Sequence, residues 1–247
     1  MAYAGLRNYR EMLSDTLLWK AYGNTFLYVL LIVPLATVGA LVIASLLNLP
    51  IKGKSGFRMI YFLPTITMAT AVAMVWRWLF NGSFGLINAV LQSLGAESIP
   101  WLTDARYAIP AITVVSIWST LGYNMVILLA GLQGISVSYY EAARIDGAST
   151  WDQFRYITTP LISPTLFFVV VNQFIGTFQT FDLIKMMIAD NSIILEDTQS
   201  IVMYFYRNAF VLTRRGYASA IAVLIFVTIM IITGIQFALQ KKWVFYD

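Results

Sequence analysis

Hydrophobic and polar positions alternate along this chain on the scale of whole helices. Charged residues are bunched, leaving uncharged runs at 21–51, 59–76, 107–140, 156–181 and 216–240. Each reaches the roughly 18 residues that suggest a membrane-crossing helix. The pattern predicts an all-α integral membrane protein with five transmembrane helices. A sixth uncharged run, 78–96, carries Asn81, Gly82, Gly85, Asn88, Gln92 and Ser93. Its apolar residues Phe84, Ile87, Val90, Leu91 and Leu94 recur at helical spacing, which predicts an amphipathic helix lying at the membrane surface. The expected organisation is an extracytoplasmic N-terminal segment 1–20, a transmembrane domain 21–240 containing a cytoplasmic loop 133–158, and a cytoplasmic tail 241–247.

Composition agrees: 59% of the residues are hydrophobic and 11% charged, against about 25% charged in an ordinary soluble domain. The net charge of +4 matters less than where the cations lie. The short loop "LPIKGKSGFR" holds Lys52, Lys54 and Arg58 without an acid, so the positive-inside rule places it in the cytoplasm. Alternation then puts 78–106 outside, 133–157 inside, 182–215 outside, and the tail with Lys241 and Lys242 inside. Arg207, Arg214 and Arg215, and Arg7, Arg10 and Lys20, fall on the outer side against the rule. Residues 1–20 contain several charges and no compact apolar core, so no cleavable signal sequence is expected.

There is no cysteine and no histidine. Disulfides, thiolate or imidazole metal ligands, Cys or Ser-His nucleophiles and histidine proton switches are excluded within this chain. "NLPIKGKS" ends like a phosphate-binding P-loop, but Asn48 stands where the motif needs glycine, Pro50 lies inside it, and it follows a membrane span rather than a buried strand. It reads as a basic cytoplasmic turn. If the protein uses ATP, another chain hydrolyses it. A membrane enzyme without His or Cys would need paired carboxylates, and Asp146 and Asp152 lie in a loop.

The longest polar interruption is "YYEAARIDGASTWDQFRYITTP", residues 139–160. Ser138 and Glu141 have capping-box spacing, which predicts a helix beginning near Tyr139. Gly147 can end that helix, and Ser149 with Asp152 repeats the capping pattern, predicting a second short helix through Trp151, Phe154 and Ile157. Pro160 and Pro164 suit the first turn of the following span. Ala142, Ala143 and Ala148 permit close approach by a partner surface. The competing reading makes Glu141 only a cap and the alanines only good helix formers.

Glu141-Ala142-Ala143, three residues, Gly147, nine residues, Ile157 and then Pro160 resembles the EAA loop of permease subunits in type I ATP-binding-cassette (ABC) importers. Asp146-Gly147-Ala148 with Phe154 and Pro164 resembles the carbohydrate-uptake branch, which includes maltose, oligosaccharide and glycerol-3-phosphate systems. Thr159 departs from the usual leucine. "GLRNYREMLSD", "YGNTFLYV", "AGLQGIS" and "GYASA" extend the resemblance over nearly the whole chain. It implies the type I importer permease fold, whose six spans exceed the five here, so that the first lacks a counterpart through truncation or a start assigned too late. "ADNSIILEDTQS" lacks the glycine-rich sequence common in relatives. The resemblance further implies a bacterial or archaeal plasma (inner) membrane, a second permease subunit, two copies of an ABC ATPase and an extracytoplasmic solute-binding protein. Coupling to the ATPase falls to Glu141, Ala142, Ala143, Asp146, Gly147 and Ala148. No cofactor is expected in this chain, ATP and Mg being bound by the ATPase. A sugar and membrane lipid are the other expected partners, and nucleic acid is not one.

Polar side chains inside hydrocarbon are expensive unless they face a partner or a water-filled path. In the fourth span Gln173, Thr177 and Thr180 share one row, Asn172, Gly176 and Gln179 the adjoining one, and Phe174, Phe178 and Phe181 a third. Amides and hydroxyls beside aromatic rings suit a neutral sugar. The same side chains also join helices to one another. Tyr123 and Asn124 in the third span are further candidates, with helix packing as the alternative. Asp182, near the outer end of the fourth span, either pairs with a partner subunit or marks the water boundary with Lys185, the second reading being preferred. The alternative function is a secondary transporter or channel for a small polar solute. Ion-coupled carriers usually need an acid within the membrane, and none lies well inside a span here.

Overall fold

The computed structural model describes residues 5–245. Their regular secondary structure is entirely helical. A short α1 (Arg7–Ser14) leads into α2 (Thr16–Asn48), followed by α3 (Lys54–Ile66), α4 (Ala69–Leu79) and α5 (Leu86–Ser93). Then come α6 (Ala105–Gln133), α7 (Val137–Ile145), α8 (Thr150–Gln153) and α9 (Thr159–Phe178). The chain closes with α10 (Asp182–Met187), α11 (Leu195–Thr198), α12 (Ile201–Tyr206) and α13 (Arg215–Gln240). Wider π-helical turns occupy Phe154–Thr158 and Arg207–Val211.

Four helices are long and apolar enough to cross a bilayer: Thr16–Asn48, Ala105–Gln133, Thr150–Phe178 and Arg215–Gln240. The expected second span, 59–76, is instead a broken pair, α3 and α4, bent by 98°. The break follows Pro64, which cannot donate to the carbonyl four residues back, and Met68 restarts the chain in an extended conformation (φ −54°, ψ 127°). The run 78–96 also departs from expectation. Trp78 and Leu79 end α4, and beyond them only Leu86–Ser93 is helical; Phe84 precedes it, and Asn88 is the buried residue of the helix. The first span opens at Thr16, within the segment expected to end at residue 20. Asp15 explains the start: its Oδ1 accepts the Leu18 N–H at 3.1 Å, the bond of an aspartate N-cap. Residues 1–4 of the N-terminal segment and Tyr246 and Asp247 of the tail lie outside the described residues.

The chain divides into two compact units. One comprises the chain up to Ile32, Thr67–Ser116 and Ile175–Ile231. The other comprises Val33–Ile66, Ile117–Phe174 and the chain from Ile232 onward.

In the first unit α10 packs against α4. Polar ties fasten the start of α2 to segment 197–217. Asp15 Oδ2 accepts from the hydroxyls of Tyr204, at 2.7 Å, and Tyr217. Burial pushes the Asp15 pKa up, but these bonds and the N–H groups of Leu18 and Leu17 outweigh it and hold the carboxyl below its ordinary value. Tyr28 donates to the Thr198 carbonyl at 2.9 Å, and the Thr25 hydroxyl accepts the Ile201 N–H at 2.8 Å. Two cations that broke the positive-inside pattern are paired: Lys20 with Asp197 and Arg214 with Glu11. The loop around α5 is organised by Asn88, whose amide donates to the Gly82 and Ile99 carbonyls and to Ser98 Oγ. Asn88 Oδ1 accepts from the Ile99 N–H and the Trp101 indole.

In the second unit Ala40, Ala44 and Leu47 of α2 meet Met125, Leu128, Leu129 and Leu132 of α6 and Ile162 and Val169 of α9. Small residues let membrane helices approach closely. The tightest case is Gly122, where an added Cβ would stand 2.0 Å from the Tyr61 carbonyl oxygen of α3. Thr65 of α3 donates to the Ser119 carbonyl of α6 at 3.2 Å, fixing the same contact.

Candidate functional site

The segment between α6 and α9 is held by local bonds rather than by burial. Helix α7 starts at Val137, two residues earlier than the Ser138–Glu141 spacing predicted. Ser136 is the N-cap and its hydroxyl accepts from the Ser138 N–H. Glu141 caps nothing. It is exposed and makes no hydrogen bond or ion pair among the described residues. Arg144 and Asp146 are likewise exposed, and neither side chain has a partner there. The reading of Glu141 as a mere cap is therefore overturned, because the cap position lies two residues upstream of Ser138.

Gly147 ends α7 as predicted. At φ +80° its N–H bonds to the Arg144 carbonyl at 3.1 Å, and the Ala148 N–H bonds to the Ala143 carbonyl at 2.9 Å. These are the two bonds of a Schellman ending. Ser149 and Asp152 then form the expected reciprocal capping box. Ala143 and Ala148 are half-buried, Glu141, Ala142, Asp146 and Gly147 exposed. Ile145 and Trp151 are 87% and 66% exposed, leaving a small apolar surface among the charges.

The second helix is not a separate piece. After α8 the chain continues through the π turn into α9, and Thr150–Phe178 runs as one helix. Pro160 consequently does not open a free helix end. The π turn accommodates a residue that lacks an N–H and whose ring crowds the preceding turn. The Thr159 N–H and hydroxyl both reach the Phe154 carbonyl, the hydroxyl at 2.9 Å. Tyr140 of α7 is bonded to Thr158 of that turn, hydroxyl to hydroxyl, at 3.0 Å.

The polar residues of the fourth span separate into buried and exposed groups. Asn124 donates to Gln173 Oε1 at 2.8 Å, and Gln173 Nε2 donates to Thr120 Oγ1 at 3.2 Å. Asn124, Gln173 and Thr177 are buried. Asn172 is exposed, its amide donating to the Phe168 carbonyl one turn back at 2.9 Å, and Tyr123 is 46% exposed. Helix α9 ends at Phe178, so Gln179, Thr180 and Phe181 leave the rows that helical spacing assigned to them. Gln179 is exposed, and the Thr180 carbonyl accepts from Ser200 Oγ at 2.6 Å. Thr120 was not anticipated, since a single threonine in an apolar span carries no signal of its own. Asp182 opens α10, and Lys185 pairs with Asp190 and lies over the Tyr206 ring.

Residues 19–245 match the family described as binding-protein-dependent transport system inner membrane component. The chain belongs to this family. As a transport permease, it is 38% identical to the probable ABC transporter permease protein YesP of Bacillus subtilis, over 99% of this chain and 80% of that protein. It is 34% identical to the sulfoquinovosyl glycerol transport system permease protein SmoG of Agrobacterium fabrum, over 94% of this chain and 75% of that protein. It is 33% identical to the trehalose/maltose transport system permease protein MalF of Thermococcus litoralis, over 94% and 77% respectively. The permease fold also matches a bacterial ABC transporter described as importing alginate. The TM-score is 0.90 at 21% identity, covering 98% of this chain and 85% of that one.

Proposed function

We propose that this permease carries a sugar or oligosaccharide through an ATP-driven importer, supplying half of the path and coupling to a separate ATPase through segment 133–158. The observation that carries this reading is a helix, Gly147 bend and helix that is firmly capped yet presents Glu141, Arg144 and Asp146 with no side-chain partner among the described residues. Charges left unpaired on a rigid surface are available to a complementary surface. A short helix closed at its start by a side-chain cap and at its end by two backbone bonds transmits a push rather than fraying. ATP closure of the ATPase dimer would move the docked segment and switch the permease between inward- and outward-facing states. ATP and Mg belong to the ATPase, and this chain needs no cofactor.

The cargo class is supported by the relatives' sugars and by the absence of acidic or basic side chains from Thr159 to Phe178. Asn172 and Tyr123, exposed on α9 and α6, are the hydrogen-bonding groups we assign to the cargo, with the buried Asn124 and Gln173 of the same unit beside them. The complete assembly has a second permease, two ATPase copies and an extracytoplasmic solute-binding protein in a plasma (inner) membrane, with this chain's C-terminus cytoplasmic.

Purification of the tagged permease from its native membrane in mild detergent, with mass spectrometry of what accompanies it, tests the assembly. Recovery of an ATPase, a second permease and a binding protein is the expected outcome. A chain that remains alone after gentle cross-linking would sink the reading in favour of a secondary carrier.

A further inference from the structure

The residues after the last long helix turn back along the membrane domain. The N–H groups of Lys242, Trp243 and Val244 bond to the Leu239 and Gln240 carbonyls, closing a turn at the end of α13. The Phe245 N–H then donates to Ser163 Oγ at 2.8 Å. Ser163 is buried on the second turn of α9, and its hydroxyl also donates to the Pro160 carbonyl at 2.6 Å. Four residues further along α9, the buried Phe167 meets the rings of Phe237 at 5.1 Å and Trp243 at 5.9 Å, both edge-on. The tail thus grips α9 through one hydrogen bond and a three-ring cluster, immediately after the π turn.

A π turn is a compliant joint, because its wider hydrogen bonds tolerate a shift of register that an α-helix resists. Helix α7 is fastened to the last residue of that joint through Tyr140 and Thr158, while α8 runs into its first residue, Phe154. The tail is fastened to its far side. We infer that residues 241–245 are a positioning element of the coupling segment: they clamp the start of α9 so that displacement of α7 and α8 passes into α9 instead of being absorbed at Phe154–Thr158. This inference rests on the coupling role proposed for segment 133–158.

The contact can be removed one atom at a time. Phe245→Pro deletes the donor, whereas Phe245→Ala keeps it and trims a half-exposed ring. Ser163→Ala deletes the acceptor, whereas Ser163→Thr keeps it. The natural chain has no cysteine, so spin labels can be placed at Ile145→Cys and Phe168→Cys, both exposed and on opposite sides of the joint. The distance between them is measured by pulsed electron paramagnetic resonance in the purified complex, nucleotide-free and after trapping with ATP and vanadate. Beside it, the ATP hydrolysis rate of the same preparation is recorded.

With the native tail, one narrow distribution should persist in both states. Phe245→Pro and Ser163→Ala should each raise a displaced population about 3- to 10-fold, the effect of losing one net hydrogen bond. Phe245→Ala and Ser163→Thr should restore the native distribution, an outcome that general loosening of the helix would not give. Should Phe245→Pro fail to assemble, the Ser163 pair carries the same comparison. If the unlabelled complex contains no ATPase, the coupling role falls and this inference falls with it. If the ATPase is present and hydrolyses ATP while the Phe245→Pro or Ser163→Ala distribution stays native, the clamp alone is refuted.

Discussion

Asn124 and Gln173 are bonded side chain to side chain between α6 and α9, with both amides buried, Asn124 donating to Gln173 Oε1 and Gln173 Nε2 donating to Thr120. Replacing one partner by leucine removes this bond and leaves the buried amide group that made it unmatched on the other, at a cost of about 1–3 kcal/mol. Asn124→Leu and Gln173→Leu should each lower the thermal midpoint in detergent. The double variant should lose less than the sum, with a coupling of about 0.6–2 kcal/mol expected for such bonds in membranes. Strict additivity would show that the bond contributes nothing.

Gly147 holds φ +80° at the end of α7 with open space around its α-carbon. Strain there is purely conformational. Gly147→Ala should cost about 1–2 kcal/mol of local stability and leave uptake measurable. Gly147→Pro cannot reach that φ and lacks the N–H given to the Arg144 carbonyl. Transport by that variant should be abolished while its abundance in the membrane is unchanged. Uptake at the native rate would defeat the coupling role of this segment.

Asp15 accepts two tyrosine hydroxyls and the N–H that starts α2. Its pKa is lowered in the folded protein. The sign follows from linkage: the contribution is complete above the unfolded value of about 3.9 and is lost as pH falls through the lower folded value. The thermal midpoint should therefore carry an acid-side decline below about pH 4. Asp15→Asn should remove this component while leaving stability at neutral pH reduced but flat across that window. An unchanged acid limb would show that Asp15 does not join α2 to Tyr204 and Tyr217 energetically.

Asn88 satisfies three acceptors and two donors in the loop around α5. Asn88→Leu preserves bulk but leaves the Trp101 indole and several backbone groups unmatched, at about 2–4 kcal/mol in total. Selective excitation of a variant keeping Trp101 as its single tryptophan should show altered emission on Asn88→Leu, without loss of helical circular dichroism. A global loss of helix would place Asn88 in the folding core rather than in the loop.

The coupling segment illustrates what was readable in the chain. Gly147 and the Ser149–Asp152 box act within a few residues of themselves, and their bonds followed from spacing alone. Ser136, competing with Ser138 for the same helix end, won because its hydroxyl meets the first free N–H groups, a choice of two residues that spacing does not resolve. The π turn before Pro160 was invisible for another reason: the sequence announces a proline, but whether a helix stops there or widens depends on what holds the next turn.

Sequence by itself determined the membrane class, the long apolar spans and the polar segment between the third and fourth of them. Those depend on hydropathy summed over many residues, and no single contact can reverse them. Tertiary structure decided the break between α3 and α4, the end of α9 before Gln179, and the division of the polar residues. Gln173 became a helix tie because Asn124 and Thr120 stand opposite it; Asn172, one position away, has no such neighbour and bonds to its own helix. Side chains of equal polarity are separated only by what the fold brings within about 3 Å of them.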